Sequence, residues 1–303
     1  MYDKSDPRST LTTNKAAGPA ATGLIAEPQV ALFYDEAPQL DDANGKTWLQ
    51  RGNNFVLAYS EAVEGGIFER VGQPDEYAVI LSDPDQSARI TAGGETVDVP
   101  GFSVAFVPPG DSTIEMPQGG ALVRLFTVKS EDLAALCSNA DAYDQPRTHI
   151  PPFTPWPEPP GGWKIRHYSL DVPKEPGRFG RIFRCTTFMI NYLDLQVGPR
   201  DITKLSPHHH DDFEQCSLAV GGAFTHHLRW QWTVNMNDWK EDQHVFCKSP
   251  SSTVIPPPVI HTTRGMEEGS NQLVDIFCPP RMDFSLKEGW VLNADDYPMP
   301  KQA

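Results

Sequence analysis

From Phe55 onward the chain alternates short apolar runs with turn residues: FVLAYS, YAVILS, ARIT, TVDVP, SVAFVPPG and ALVRLFTV. Runs of four to eight residues rich in valine, isoleucine and aromatics, punctuated by Gly, Pro and Asp, predict antiparallel strands. SEDLAALCSNA, opening at Ser130, predicts a short helix with a serine N-cap and acids in its first turn. Seven of the fifteen positions 146–160 are proline, which predicts an extended connector. The strand pattern then resumes with RIFRCTTFMINYLDL, QCSLAV, AFTHHLRWQWTV, HVFCK, STVIPPP and QLVDIFCPP. Residues 1–24, rich in Ser, Thr, Ala and Gly, read as a loosely attached arm.

The two strand-rich regions are similar to each other. LVRLF at 122–126 matches LVDIF at 273–277, SVAFVPPG matches STVIPPP, and the segment from Glu76 matches the one from Glu214. Three matches in the same order predict an internal duplication with loop insertions between them. The expected organisation is an N-terminal arm (1–28), a first barrel (29–145), a linker (146–165), a second barrel (166–290) and a tail (291–303).

Composition narrows the partners. With 25 Lys+Arg against 40 Asp+Glu the net charge is −15, which argues against nucleic acid and anionic membranes. Five dispersed cysteines with no CxxC pair indicate free thiols in a reducing compartment. No apolar stretch approaches a bilayer span or a signal-peptide core, so a soluble, cytoplasmic protein is expected. Exposed sheet edges make a homodimer the expected assembly.

All nine histidines lie at or after His149, most of them in the second copy. Residues two apart on a strand share a face, so His208 and His210 can converge on one ion, with Glu214 on the same parity. Imidazoles plus a carboxylate suit a borderline divalent metal, Fe(II), Mn, Ni or Zn. His261, after the turn PPPVI, would complete the set.

His208-x-His210-x3-Glu214-x6-Gly221 resembles the first motif of the cupin family, and Pro256-x4-His261 the second, with Pro258 where that family has glycine. The resemblance covers roughly 45–290. It implies an all-β chain with two cupin-type antiparallel barrels (jelly rolls) in tandem, and one metal held by His208, His210, Glu214 and His261. In the first copy the corresponding positions are Arg70, Gly72, Glu76 and Thr113, which leaves only the carboxylate. One metal site is therefore expected, in the second barrel, with Arg70 paired to Glu76 in a degenerate first barrel.

Other residues near the motif keep two readings each. In AFTHHLRWQWTV the apolar face carries His226 and Trp230, so His226 is either a packed core histidine or a base near the ligands. Trp230 is core or substrate platform. Cys216, on the parity of Glu214, either packs or lines the cavity, and Arg264 anchors a substrate carboxylate or forms a surface ion pair.

Three histidines and one carboxylate leave coordination positions open, as a catalytic metal requires. The first expectation is a dioxygenase favouring Fe(II), which would use O2 on a small phenol, diketone or hydroxy/keto acid, with Glu214 available as a base. The alternatives are a redox-neutral isomerase or decarboxylase, and a non-enzymatic binding or storage-type bicupin. Oxalate-type decarboxylation is less attractive, because bicupins of that type usually look metal-bearing in both halves.

Overall fold

The computed structural model describes residues 7–10, 26–145, 147, 150–211 and 213–301. The first copy contains β1 (Gln29–Leu32), β2 (Leu40–Asp42), β3 (Gly45–Arg51), β4 (Phe55–Ala62), β5 (Gly66–Gln73) and β6 (Tyr77–Leu81). It continues with β7 (Ser87–Ala92), β8 (Glu95–Pro100), β9 (Ser103–Val107), β10 (Gly110–Met116) and β11 (Gly120–Thr127). The second opens with β12 (Arg166–Ser169), β13 (Arg181–Arg184), β14 (Met189–Tyr192), β15 (Gln196–Val197) and β16 (Gln215–Gly221). It closes with β17 (Ala223–Arg229), β18 (Gln243–Lys248), β19 (Ser251–Ile255), β20 (Ile260–Gly265) and β21 (Ser270–Phe277). Helices are short: α1 (Glu131–Leu136) and α2 (Met282–Ser285). Ser130 does stand at the N-cap of α1, but its hydroxyl accepts from Gln73 instead of capping the helix.

The strands form two antiparallel barrels, as the pattern of short runs predicts. The first joins a sheet ordered β12-β9-β6-β11-β4-β3-β2 to one ordered β5-β10-β7-β8. The second joins β1-β19-β16-β21-β14-β13, with β15 on β21, to β18-β17-β20. Two strands cross over. β1 pairs with β19 of the second barrel, and β12 pairs with β9 of the first. Each copy's leading strand thus covers an edge of the other barrel's large sheet, which removes an exposed ladder edge. The expected boundaries at 29 and 166 follow chain order, whereas these two strands belong to the opposite barrels.

Strict alternation divides each large sheet between two cores. Ala78 and Ile80 of β6 meet Cys216 and Leu218 of β16 in a shared core between the barrels, together with Phe106, Phe183, Ile190 and Ile276. The other parity of β6 (Tyr77, Val79 and Leu81) fills the first barrel with Ile90, Val107, Ile114 and Met116. The linker and tail are built into this assembly. Trp156 is buried and donates its backbone N–H to Thr186, and Tyr297 of the tail is buried in the shared core. Of the arm, Pro7–Thr10 forms a 3-10 turn with Arg8 buried, and its other expected residues up to Ile25 lie outside the described residues. All five cysteines are buried and unpaired. Among the described residues no helix is long and apolar enough to cross a membrane.

Candidate metal centre

His208 precedes β16 in an irregular segment, but its backbone N–H donates to His261 (3.0 Å) and accepts in return through its carbonyl (2.7 Å). That bridge brings the two imidazoles together, with ring centroids 4.4 Å apart and planes tilted by 52°, and the His210 ring centroid lies 5.3 Å from that of His261. One ligand nitrogen from each of His208, His210 and His261 lies within 4.8 Å of the others. Two tautomers are set by backbone carbonyls. His208 Nδ1 donates to Ser206 (2.8 Å) and His261 Nδ1 to Val259 (2.9 Å), so each presents an unprotonated Nε2 to the barrel interior. Burial lowers all three histidines, His261 to about 4, so they are neutral ligands at neutral pH.

The fourth group is Gln215, one residue beyond the expected carboxylate. Its amide nitrogen donates to Ser217 Oγ (3.0 Å) and Asp275 Oδ1 (3.1 Å), which turns the amide oxygen toward the histidines. That oxygen sits 2.9 Å from His210 Nε2 and 3.3 Å from His261 Nε2. At His261 an acceptor faces an acceptor, an arrangement that a cation between them resolves. The donor set fits a divalent metal: three imidazoles and one amide oxygen, backed by a buried carboxylate. Burial raises Asp275 to about 6, against the opposing charge of Arg8 and the hydrogen bond from Ser217.

Glu214 is not among these ligands. Its Oε2 accepts from the Asn53 backbone N–H (2.6 Å) and its Oε1 from the Tyr143 hydroxyl (2.9 Å), both in the first copy. Burial pushes it up to about 7. The correction has a simple cause. Asp211, Phe213 and Glu214 lie outside any strand and β16 begins only at Gln215, so strand parity cannot be carried from His210 to Glu214. Cys216 does share a parity with Glu214, but that face packs into the shared core and not into the cavity. Arg264 is not on the cavity lining and donates Nε to the Arg200 carbonyl (3.2 Å); among the described residues it forms no ion pair. Trp230 packs with Leu228, Ile255 and Val259 as a core residue. His226 is buried beside Thr263, its Nδ1 2.9 Å from that hydroxyl, and burial lowers it to about 3. Its Nε2 has no hydrogen-bond partner among the described residues.

In the first barrel, Arg70 pairs with Asp132 (2.6 Å) and not with Glu76. Glu76 instead reaches across the shared core, accepting from Thr186 N (2.9 Å), Thr186 Oγ1 (2.8 Å) and Tyr297 (2.7 Å). Gly72 is exposed near the end of β5 at φ +61°, where the β5–β10 register shifts, its N–H bonded to Asp111. Thr113 is displaced by one position from the expected equivalence. Ser112 faces inward opposite Ala92, as His261 does opposite Leu228.

His208, His261 and Gln215 line a cavity of about 520 Å³ together with residues of β20 and of the 174–180 and 200–206 segments. Such a volume suits a small organic ligand. Arg8, Arg200 and Ser206 line it, and sequence reasoning passed over all three because the arm and the 200–206 loop carry no periodic pattern.

No protein-family model matches the sequence, and no curated protein matches it. Solved structures do. An oxalate decarboxylase, from work on a structural element that modulates its proton-coupled electron transfer, superposes with TM-score 0.55 at 13% identity, covering 85% of this chain and 78% of that one. The Lactobacillus farciminis oxalate decarboxylase in a formate complex gives 0.55 at 12% identity, covering 87% of this chain and 88% of that one. AerE from Microcystis aeruginosa gives 0.53 at 8% identity, covering 85% of this chain and 99% of that one. At these identities the likeness is one of fold, the tandem-barrel cupin fold.

Proposed function

We propose that the second barrel is a metal-dependent catalytic site acting on a small oxygenated organic acid by a redox-neutral reaction, decarboxylation or isomerisation. The observation that carries this reading is the meeting of three neutral imidazoles and the Gln215 amide oxygen beside a cavity. Neutral ligands leave a bound divalent ion its full charge, which would serve as a Lewis acid on a carboxylate or keto oxygen. Asp275 lines the same cavity, and its pKa of about 6 suits a group that holds and returns a proton near neutral pH. In a decarboxylation the C–C bond breaks, CO2 leaves, and the remaining carbon takes that proton. Ser217 and Gln215 orient the Asp275 carboxyl.

The oxygen-using reading, with Fe(II) and O2, rests on the same three histidines; Mn, Ni and Zn suit the donor set as well. One experiment separates the two. Protein purified without added metal and then reconstituted is assayed on a panel of hydroxy, keto and dicarboxylic acids, with CO2 release and O2 uptake followed together. Substrate loss with no O2 uptake supports the proposal, and stoichiometric O2 uptake returns the reading to a dioxygenase. No bound metal and no gain on reconstitution would remove both enzyme readings and favour a binding role.

A further inference from the structure

The small sheet of the second barrel carries histidines on both faces. His226 and His261 point inward, and on the outer face His227 of β17 stands directly opposite His244 of β18. The two outer imidazoles meet. Their Nδ1 atoms are 2.8 Å apart and their ring centroids 4.8 Å apart, with the planes at 69°. His244 is exposed and His227 half-buried. Such a contact joins one N–H to one lone pair, so a single proton lies between the rings. Burial, followed by the charges of His244 and Arg264, holds His227 below its usual pKa. The result is a pair of imidazole donors on the surface of a protein of net charge −15, a field that favours cations.

The spacing of the donors selects the ion. Metal–imidazole bonds are about 2.0–2.1 Å, so two nitrogens 2.8 Å apart subtend about 90° at a shared ion. A tetrahedral ion needs donors about 3.3 Å apart, whereas about 90° separates neighbouring positions of a tetragonal ion such as Cu(II) or Ni(II). The ring that donates moves its proton to Nε2 through solvent, which leaves both Nδ1 lone pairs to the metal. Water fills the rest of the shell. Asp242, two residues before His244, is held by Arg229 through Nε (3.0 Å) and Nη2 (2.5 Å). A pocket of about 150 Å³ lined by both histidines, Asp242 and Thr262 has room for those waters.

We propose that His227 and His244 form a second metal site, on the outside of the barrel, for a tetragonal divalent ion, Cu(II) or Ni(II). It is distinct from the centre of His208, His210 and His261, whose ligands face the other side of this sheet. It stands or falls independently of the proposed reaction.

The test is Cu(II) titration of full-length protein already given one equivalent of Zn(II), followed by electron paramagnetic resonance and by competition with glycine. Wild type is expected to bind one Cu(II) more per chain than His227→Ala or His244→Ala, with two imidazole nitrogens in its spectrum. Because the second imidazole binds intramolecularly, each alanine variant should need about a hundredfold more free Cu(II) to fill the position. His167→Ala, at an exposed histidine of β12, should leave both readings unchanged. The wild-type spectrum decides alone should a variant misfold. A one-nitrogen spectrum in wild type, or isotherms shared by wild type and both variants, means adventitious binding only and overturns the site. Because the variants differ from wild type at the outer pair alone, the comparison holds whether or not the inner centre takes Zn(II) or supports turnover.

Discussion

The two barrels share a backbone plan and differ in what fills them. β6 and β16 show this best. Tyr77 sits opposite Val107 as Gln215 sits opposite Ile255, and Val79 sits opposite Arg124 as Ser217 sits opposite Asp275. Inward positions that carry Gln215, Ser217, His261 and Asp275 in the second barrel carry Tyr77, Val79, Ser112 and Arg124 in the first. There Tyr77 and Ser112 bond each other at 2.9 Å, where Gln215 and His261 meet in the other copy. Arg124 donates to Ser60 (3.1 Å) and stacks 4.5 Å over Phe68, and burial lowers it to about 10. The first interior is largely apolar. Among the described residues, buried polar atoms without a hydrogen-bond partner occur in both copies: Arg124 Nε in the first interior, and atoms of Asn191, His226, Ser251 and Thr253 in the second. Each such group costs about 1–3 kcal/mol unless water or a ligand satisfies it.

The outward faces, by contrast, remain alike. Glu214 reaches from the second barrel to a backbone N–H and a tyrosine of the first copy, and Glu76 reaches from the first barrel to a backbone N–H and a tyrosine of the second. The motif carboxylate has the same role in both copies, a clasp between barrels, and the asymmetry is confined to the interiors.

The largest effect that would break this contrast lies at the histidines. His208→Ala and His261→Ala should each lower bound metal from near one per chain to below about a tenth, with activity falling about a hundredfold or more. Glu214→Gln should keep the metal. Elemental analysis of the purified variants checks all three. Metal loss in Glu214→Gln alone would restore the carboxylate to the ligand set and undo the assignment of Gln215.

Next in size is the amide itself. Gln215→Leu removes the fourth ligand and the bond that orients Asp275, and should weaken metal affinity about 10–100-fold. Gln215→Glu places an anion at the same point and should bind the metal more tightly while reducing its acidity, so activity falls although occupancy rises. Competition with a coloured chelator measures the affinities. An affinity unchanged in both variants would mean that Gln215 only braces the histidines.

Much of this was legible in the chain. Short alternating runs announced two all-β units, and the clustering of histidines pointed to the three that the fold gathers, His208, His210 and His261. The copies could be aligned from LVRLF and LVDIF alone. What escaped was anything that depends on leaving a strand. The irregular residues before β16 shift the facing residue from Glu214 to Gln215, and a turn of the same kind shifts Thr113 to Ser112. The exchange of β1 and β12 between barrels has no local signature, because a strand's pattern states which of its faces is buried and not which sheet buries it. Arg8 was invisible because the arm carries no periodic pattern.

The clasp should respond less strongly and nearly equally on its two sides. Tyr143→Phe and Tyr297→Phe each remove one donor to a buried carboxylate, and each should cost about 1–3 kcal/mol in urea denaturation. A large inequality between them would show that the outward faces have diverged as the interiors have.

The smallest effect is the pH dependence of that clasp, read at Glu76. Burial raises its pKa above the usual 4.5, despite the opposing hydrogen bonds from Tyr297 and Thr186 and the charge of Arg166. The folded protein therefore binds this proton more tightly than the unfolded chain. The stabilisation is fully present below pH 4.5 and is lost as pH rises through the folded-state value, at up to about 1.4 kcal/mol per pH unit. Glu76→Gln cannot titrate, so the stability of wild type relative to this variant should decline from pH 4.5 upward and then level off. Urea midpoints measured for both proteins across that range give the difference directly. If wild type instead gains on the variant as pH rises, the carboxylate is stabilised as an anion. The three donors around it would then outweigh its burial, and the clasp would be a charged one.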